Sequence, residues 1–287
     1  MGVERVGVVG AGLMGVGIAQ AVAQHGLPVV IADVDENTAR SGAERLRAAL
    51  EARVAAGKLP PEECAATLAR LRVGKDLPAM GDADLIIEAV TEDLNIKQAV
   101  FRRLDEVCAP AAILATNTSI LSPTEIGSVT RRPDRVVGLH FFNPAPVMKL
   151  VEVMMGLETS AATLDAVCAF AERIGKTPVT VRESPGGIVS RVLIAMRNEA
   201  ARILAEGVAS AEDIDTALRL GGGLPIGPLA LIDLVGVDLH VTNAETLCRE
   251  LGTDRFAPPP LLRTMVRGGR LGKKTGRGFF EYPPVPR

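Results

Sequence analysis

The first half of the chain alternates short apolar runs with longer stretches of mixed periodicity. RVGVV (5–9), VVIAD (29–33), LRVGK (71–75), DLIIEAV (84–90), AILAT (112–116), RVVGL (135–139), MKLVEVM (148–154) and PVTVR (178–182) predict strands. Several are runs of Val, Ile and Leu without alternation, the pattern of strands covered on both faces. Between them, 14–25, 36–56, 62–70, 95–108 and 160–174 carry apolar and charged residues at helical spacing. Strands alternating with helices predict βαβ units and a doubly wound, mostly parallel sheet.

The pattern changes at Arg182-Glu183-Ser184-Pro185-Gly186-Gly187, where Pro and Gly in a row mark a turn or hinge. Beyond it, IVSRVLIAMRNEAARILAEG, SAEDIDTALRL and PLALIDLVGVDLHVTNAETLCREL all predict helices, and no strand follows. The expectation is an α/β domain over 1–183 and an all-α domain over 184–287. The tail APPPLLRTMVRGGRLGKKTGRGFFEYPP, mixing Pro, Gly and basic residues, is expected to pack as a loop.

Composition narrows the function. With 287 residues and a net charge of −2, the chain offers no basic footprint for nucleic acid or an anionic membrane. The lack of Trp and the single Tyr argue against base-stacking surfaces. No apolar run is long enough for a spanning helix. The start, MGVERVGVVGAG, enters a strand directly without a signal peptide, so a cytoplasmic protein is expected. Cys64, Cys108, Cys168 and Cys248 are scattered, which suits core-filling thiols in a reducing compartment and gives no metal site.

Candidate chemistry starts at Gly10-Ala11-Gly12-Leu13-Met14-Gly15, a GxGxxG between a strand and a helix. Gly-rich turns are common, but this context is the one a dinucleotide site of Rossmann type demands. Gly10 permits the tight turn, Gly12 lets a pyrophosphate approach the backbone, and Gly15 allows close helix–strand contact. Asp33 ends the second strand, where a carboxylate accepts from ribose hydroxyls and repels a 2′-phosphate. NAD is therefore favoured over NADP. Asp35 fits better as a helix N-terminal residue.

Hydride chemistry on an alcohol needs a proton acceptor, and imidazole suits that near neutral pH. There are three histidines. His25 precedes Gly26 at a helix end, a favourable place for imidazole beside the dipole. His240 lies in a helical stretch and reads as a satisfied surface or interface residue. His140, in GLHFFNP, follows a strand on the sheet edge where open α/β folds place ligands. Glu152 sits inside the apolar strand LVEVMM, where an unpaired carboxylate is costly to bury. If the intervening FFNPAPVM folds back, Glu152 reaches His140 as a base's orienting partner. Ser119 can meet a substrate oxygen or cap a helix, although Ser122 fits the cap better. Asn143 is either a ligand or a turn asparagine. Glu92 and Lys97, taken alone, read as surface residues at a helix start.

These residues together carry a family signature. GAGLMG (10–15), IIEAVTED (86–93), ATNTS (115–119), HFFNPAPVMKLVEV (140–153), SPGGIVSR (184–191), EGVASAEDID (206–215) and GLPIGPLALIDLVGVD (223–238) stand in order over nearly the whole chain. In this the chain resembles the L-3-hydroxyacyl-CoA dehydrogenases, those acting on 3-hydroxybutyryl-CoA above all. The resemblance implies that His140 is the base and Glu152 its partner, with Ser119 and Asn143 at the substrate oxygen or nicotinamide. It implies that Asp33, Glu92, Lys97 and Lys274 join the glycines in holding NAD, that Lys58 meets the CoA phosphates, and that the helical domain forms a homodimer. Related enzymes acting on carrier-bound or free 3-hydroxy acids share the HFFNP block. Two stretches depart from the family pattern. Gly187 and Ser190 stand where PGFIVNR has Phe and Asn, the Asn lining the substrate side in that family, and Gly222 stands where larger residues are common. Together these departures imply either a wider acyl pocket or a substrate other than a short acyl-CoA.

Overall fold

The computed structural model describes residues 2–283. The last proline of the tail, Pro284, lies outside the described residues. The chain divides into two compact units, Met1–Ser184 and Pro185–Arg287.

The first unit runs β1 (Val6–Val9), α1 (Leu13–Gln24), β2 (Val29–Ala32), α2 (Glu36–Ala55), α3 (Pro61–Arg70), β3 (Leu71–Val73), β4 (Leu85–Glu88), α4 (Leu94–Val107), β5 (Ile113–Thr116), α5 (Pro123–Gly127), β6 (Val136–Phe141), β7 (Leu150–Met155), α6 (Ala161–Arg173) and β8 (Thr177–Arg182). The strands form one eight-stranded sheet in the order β3-β2-β1-β4-β5-β6-β7-β8. Every pairing is parallel except β6 with β7. This is the predicted doubly wound, mostly parallel sheet, and its order reverses between β1 and β4.

The apolar runs lack alternation because successive residues bury on opposite faces. Val8, Ile87, Ala115 and Val137 pack with Ile18 and Val22 of α1 and Val167 and Phe170 of α6. Their neighbours Val9, Ile86, Leu114 and Val136 pack with Phe101 and Leu104 of α4. Helices on both faces leave the sheet's C-terminal edge as the open ground for polar residues. The helix starts are fixed locally. Asp35 caps α2 through Thr38 N–H and Asp93 caps α4 through Ile96 N–H. Ser122 caps α5 through Glu125 N–H, the role the sequence assigned to it over Ser119.

The second unit contains α7 (Val189–Ala205), α8 (Ala211–Leu220), α9 (Pro228–Val235), α10 (Val237–Leu251) and α11 (Pro260–Arg267). Its core gathers Ala201, Leu229, Ile232, Val237 and Leu262. As expected it is helical, with only isolated β-bridges among the described residues. The tail is not the predicted loop. Residues 260–267 form α11, whose Leu262 and Met265 are buried one turn apart. The segment after it is pinned by buried Asp233, which accepts from Phe279 N–H, Phe280 N–H and the Tyr282 hydroxyl.

Candidate active site

The C-terminal ends of β1, β2, β4, β5 and β6 share one edge of the sheet, and of the predicted polar residues Asp33, Glu92, Ser119, His140 and Asn143 end or follow those strands. Gly10 follows β1 with φ +106°, and a Cβ on it would lie 2.5 Å from Ala89 O. At Gly15 a Cβ would lie 1.8 Å from Gly10 O, so the helix can approach the turn only with glycine. Gly12 differs: a Cβ there would meet nothing within 4 Å. Protein packing does not demand that glycine, and the open space before it, at the N-terminus of α1, is what a pyrophosphate needs. Ala11 N–H donates to Asp33 Oδ2 at 2.5 Å, and Val34 N–H donates to Asp33 Oδ1 at 2.7 Å. Leu13 is exposed beside the turn, while Met14 packs on the core. Gly10, Gly12, Asp33, Thr38 and Ala89 line a cleft of about 680 Å³, a volume that suits a nucleotide half.

A second group stands where β4 and β5 end. Glu88 accepts from Val90 N–H (2.7 Å), Lys97 Nζ (2.8 Å) and the Thr116 hydroxyl (2.7 Å). Lys97 Nζ also lies 3.3 Å from Glu92 Oε2. Glu92 Oε1 accepts from the Thr118 hydroxyl at 2.5 Å and from Ser119 N–H at 3.1 Å. Read alone, Lys97 was a surface residue; in the fold it is wholly buried between the two carboxylates. Glu92 keeps about a third of its side chain exposed, 32 %.

The third group is the β6–β7 hairpin. The antiparallel register sets His140 opposite Glu152. Nδ1 and Oε2 are 2.9 Å apart, with His140 8 % exposed and Glu152 fully buried. An ionised carboxylate only accepts, so opposite one Nδ1 is the donor and a neutral ring would carry its lone pair on Nε2. The Phe142 ring packs 4.4 Å from the imidazole. Asn117 Oδ1 accepts from Phe141 N–H at 2.8 Å and so pins the strand end that carries the histidine. The sequence reading left Asn117 without a role. Asn143 is exposed on the loop beyond, before the cis Pro144. That loop is held from below by buried Lys176, whose Nζ donates to Ala145 O (2.6 Å) and Met148 O (2.8 Å).

The remaining predicted residues lie elsewhere. Lys58 is exposed between α2 and α3, with no side-chain partner among the described residues. Ser190 and Lys274 belong to the second unit. Ser190 is in the first turn of α7, and Lys274 Nζ donates to Asp238 Oδ2 at 2.7 Å. Gly187 has φ +50°, and a Cβ at Gly222 would lie 2.7 Å from Leu218 O. Both glycines suit their local backbone. His25 closes α1, its Nδ1 donating to Ala21 O at 2.8 Å, as the sequence predicted. His240, expected as a satisfied surface or interface residue, is instead fully buried within its unit, with Nε2 2.9 Å from Asn198 Oδ1. No cluster of His, Cys, Asp and Glu suited to a metal occurs among the described residues.

Fold and edge together define a dehydrogenase of the nicotinamide-nucleotide class. The model of the 3-hydroxyacyl-CoA dehydrogenase NAD-binding domain matches residues 5–184, and that of the C-terminal domain of the same enzymes matches 186–282. The chain belongs to the 3-hydroxyacyl-CoA dehydrogenase family, whose members are NAD-dependent oxidoreductases. A probable 3-hydroxybutyryl-CoA dehydrogenase of Bacillus subtilis is 45 % identical over 98 % of each chain. A 3-hydroxybutyryl-CoA dehydrogenase of Clostridioides difficile is 46 % identical over 97 % of this chain and 99 % of its own. The crystal structure of (S)-3-hydroxybutyryl-CoA dehydrogenase PaaH1 from Ralstonia eutropha superposes with a TM-score of 0.94 at 42 % identity, covering 98 % of this chain and all of that one.

Proposed function

We propose that the chain oxidises the hydroxyl of a short L-3-hydroxyacyl-CoA, 3-hydroxybutyryl-CoA foremost, to the 3-oxo thioester, and runs the reverse. The observation that carries this reading is the 2.9 Å His140–Glu152 bond on a strand end at the sheet's ligand edge. NAD, when bound, supplies the hydride acceptor. The glycine turn and Asp33 would hold its adenosine half, and Glu92 its nicotinamide end. His140 Nε2 takes the hydroxyl proton as the 3-oxo group forms. Glu152 keeps the ring oriented and offsets the charge it gains. Ser119 and Asn143 donate to the same oxygen and fix its distance from the imidazole. In the reverse direction the protonated ring returns the proton.

The substrate assignment draws on the names of the relatives, and NAD over NADP draws on the carboxylate at Asp33. Lys58 is the proposed contact for the CoA phosphates. Ser190 would line the acyl side and Lys274 the cofactor. A homodimer through the helical unit is supported by its exposed Val192, Leu220, Leu234 and Leu239. The test is NADH oxidation with acetoacetyl-CoA, its carrier-protein thioester and free 3-oxo acids, repeated with NADPH. Rapid turnover of acetoacetyl-CoA with NADH is expected; turnover of the carrier-bound substrate alone would overturn the CoA assignment.

A further inference from the structure

Glu88 and Lys97 are each 0 % exposed, and a buried ion pair must offset the loss of water from both ions. Apolar residues of similar volume usually serve stability as well or better. The contacts suggest why charge is kept here. Glu88 is locked at the end of β4 by Val90 N–H and Thr116 on one side and Lys97 on the other. Lys97 then bridges to Glu92, at 3.3 Å against 2.8 Å for Glu88. Glu92 in turn holds Thr118 and the backbone of Ser119 through its other oxygen. One line of contacts thus runs from a rigid strand end to the half-open carboxylate and the serine at the site.

We propose that Glu88 is a positioning residue, acting through Lys97 to set Glu92 and Ser119. The inference rests on the reading above, in which those two residues face cofactor and substrate. Two carboxylates share one ammonium, and Glu88 holds it the more closely. Glu92 therefore keeps its charge directed at Thr118 and Ser119 instead of closing on Lys97. With Glu88 neutral, Lys97 would have a single anion left, and its attraction would draw Glu92 off the serine loop; with both gone, Glu92 would lose the anchored ammonium that sets it.

The test uses Glu88→Gln, whose one oxygen can still accept from Val90 N–H while its NH2 can donate to the Thr116 hydroxyl, and which leaves Lys97 paired with Glu92. A second variant, Glu88→Gln with Lys97→Met, removes the charged pair together and relieves its desolvation. NADH affinity is read by fluorescence titration without thioester, melting temperature by circular dichroism, and kcat and KM with acetoacetyl-CoA. Both variants are expected to melt within a few degrees of the parent, to bind NADH about 5- to 10-fold more weakly, and to lose about 10-fold in kcat. The thioester KM should change less than kcat. NADH affinity within twofold of the parent in both variants would overturn the proposal. Failure of both to fold would also overturn it, since the pair would then be structural. A parent chain that binds NADH but turns over no thioester would sink the substrate reading alone, because the NADH affinities still judge Glu88.

Discussion

His140 and His240 are both buried, and each holds one ring nitrogen 2.9 Å from a side-chain oxygen. They differ in what that oxygen belongs to. His140 faces a carboxylate set opposite it by strand register, so a proton gained by the ring meets a charge ready for it. His240 faces the amide of Asn198, itself oriented by donating to Phe256 O at 2.7 Å. Its Nδ1 has no hydrogen-bond partner among the described residues. Burial, and then the neighbouring Arg197, push the His240 pKa down to about 3. On the proposed reading the same side chain is a proton acceptor in one place, whereas in the other burial holds it as a neutral packing group. Burial alone does not distinguish the two; the charge of the partner does.

The sharpest break of that contrast is His140→Ala. On the reading above it should lower kcat by about 10²–10⁴-fold, the usual worth of a positioned acid–base group. NADH affinity, measured by titration, should stay within about twofold, since His140 stands apart from the nucleotide turn. Near-parental kcat would remove the base assignment. Glu152→Gln is the next step down. It keeps the shape but supplies no charge to a protonated ring, and its amide can present a donor to Nδ1. A loss of kcat of roughly 10- to 100-fold is expected, smaller than loss of the ring itself. An equal or larger loss would mean that Glu152 touches the reaction directly.

The sheet was legible because strands buried on both faces have a continuous apolar signature. The His140–Glu152 pair was legible for a related reason: a carboxylate inside an apolar strand has few ways to be satisfied. The same signal stood at Glu88, inside the apolar run DLIIEAV, and the sequence reading drew nothing from it. Taken alone, Lys97 reads as a surface residue because a lysine in a first helical turn is usually solvated. Only the tertiary approach of Glu88 and Glu92 buries it. Helix α11 hid behind Pro, Gly and Arg, which masked the short stripe of Leu262 and Met265. For Lys58, Ser190 and Lys274 the residues themselves carried no signal, since an exposed lysine or a helical serine has the same local pattern with or without a ligand.

The second histidine makes a stability prediction of opposite kind. In the unfolded chain an imidazole titrates near 6.5, whereas in the fold His240 stays neutral down to about 3. The folded value is the depressed one, so protons bind the unfolded state preferentially below 6.5. The contribution is fully present above that pH and is lost as acid is added through the window from 6.5 toward 3. Between neutrality and pH 5 the loss should be about 2 kcal/mol, visible as a fall of a few degrees in melting temperature. His240→Gln, which keeps a donor toward Asn198, should flatten this part of the profile. An unchanged slope would show that other groups govern acid unfolding.

Arg197→Met asks how much of that depression comes from charge. Arg197 is 6 % exposed, its Nε donates to Leu193 O, and no carboxylate pairs with it among the described residues. Burial alone lowers its own pKa to about 10, which still leaves it cationic at any pH where His240 titrates. Removing that cation should let the ring protonate more readily in the fold, so the acid slope should weaken. Because burial is the larger cause of the His240 shift and the guanidinium the smaller, the change should be well under half of that in His240→Gln. Melting curves of the two variants at matched pH decide the order. If Arg197→Met flattened the profile as fully as loss of the ring, charge and not burial would be what keeps His240 neutral. The two histidines would then differ only in the sign of the nearest ion.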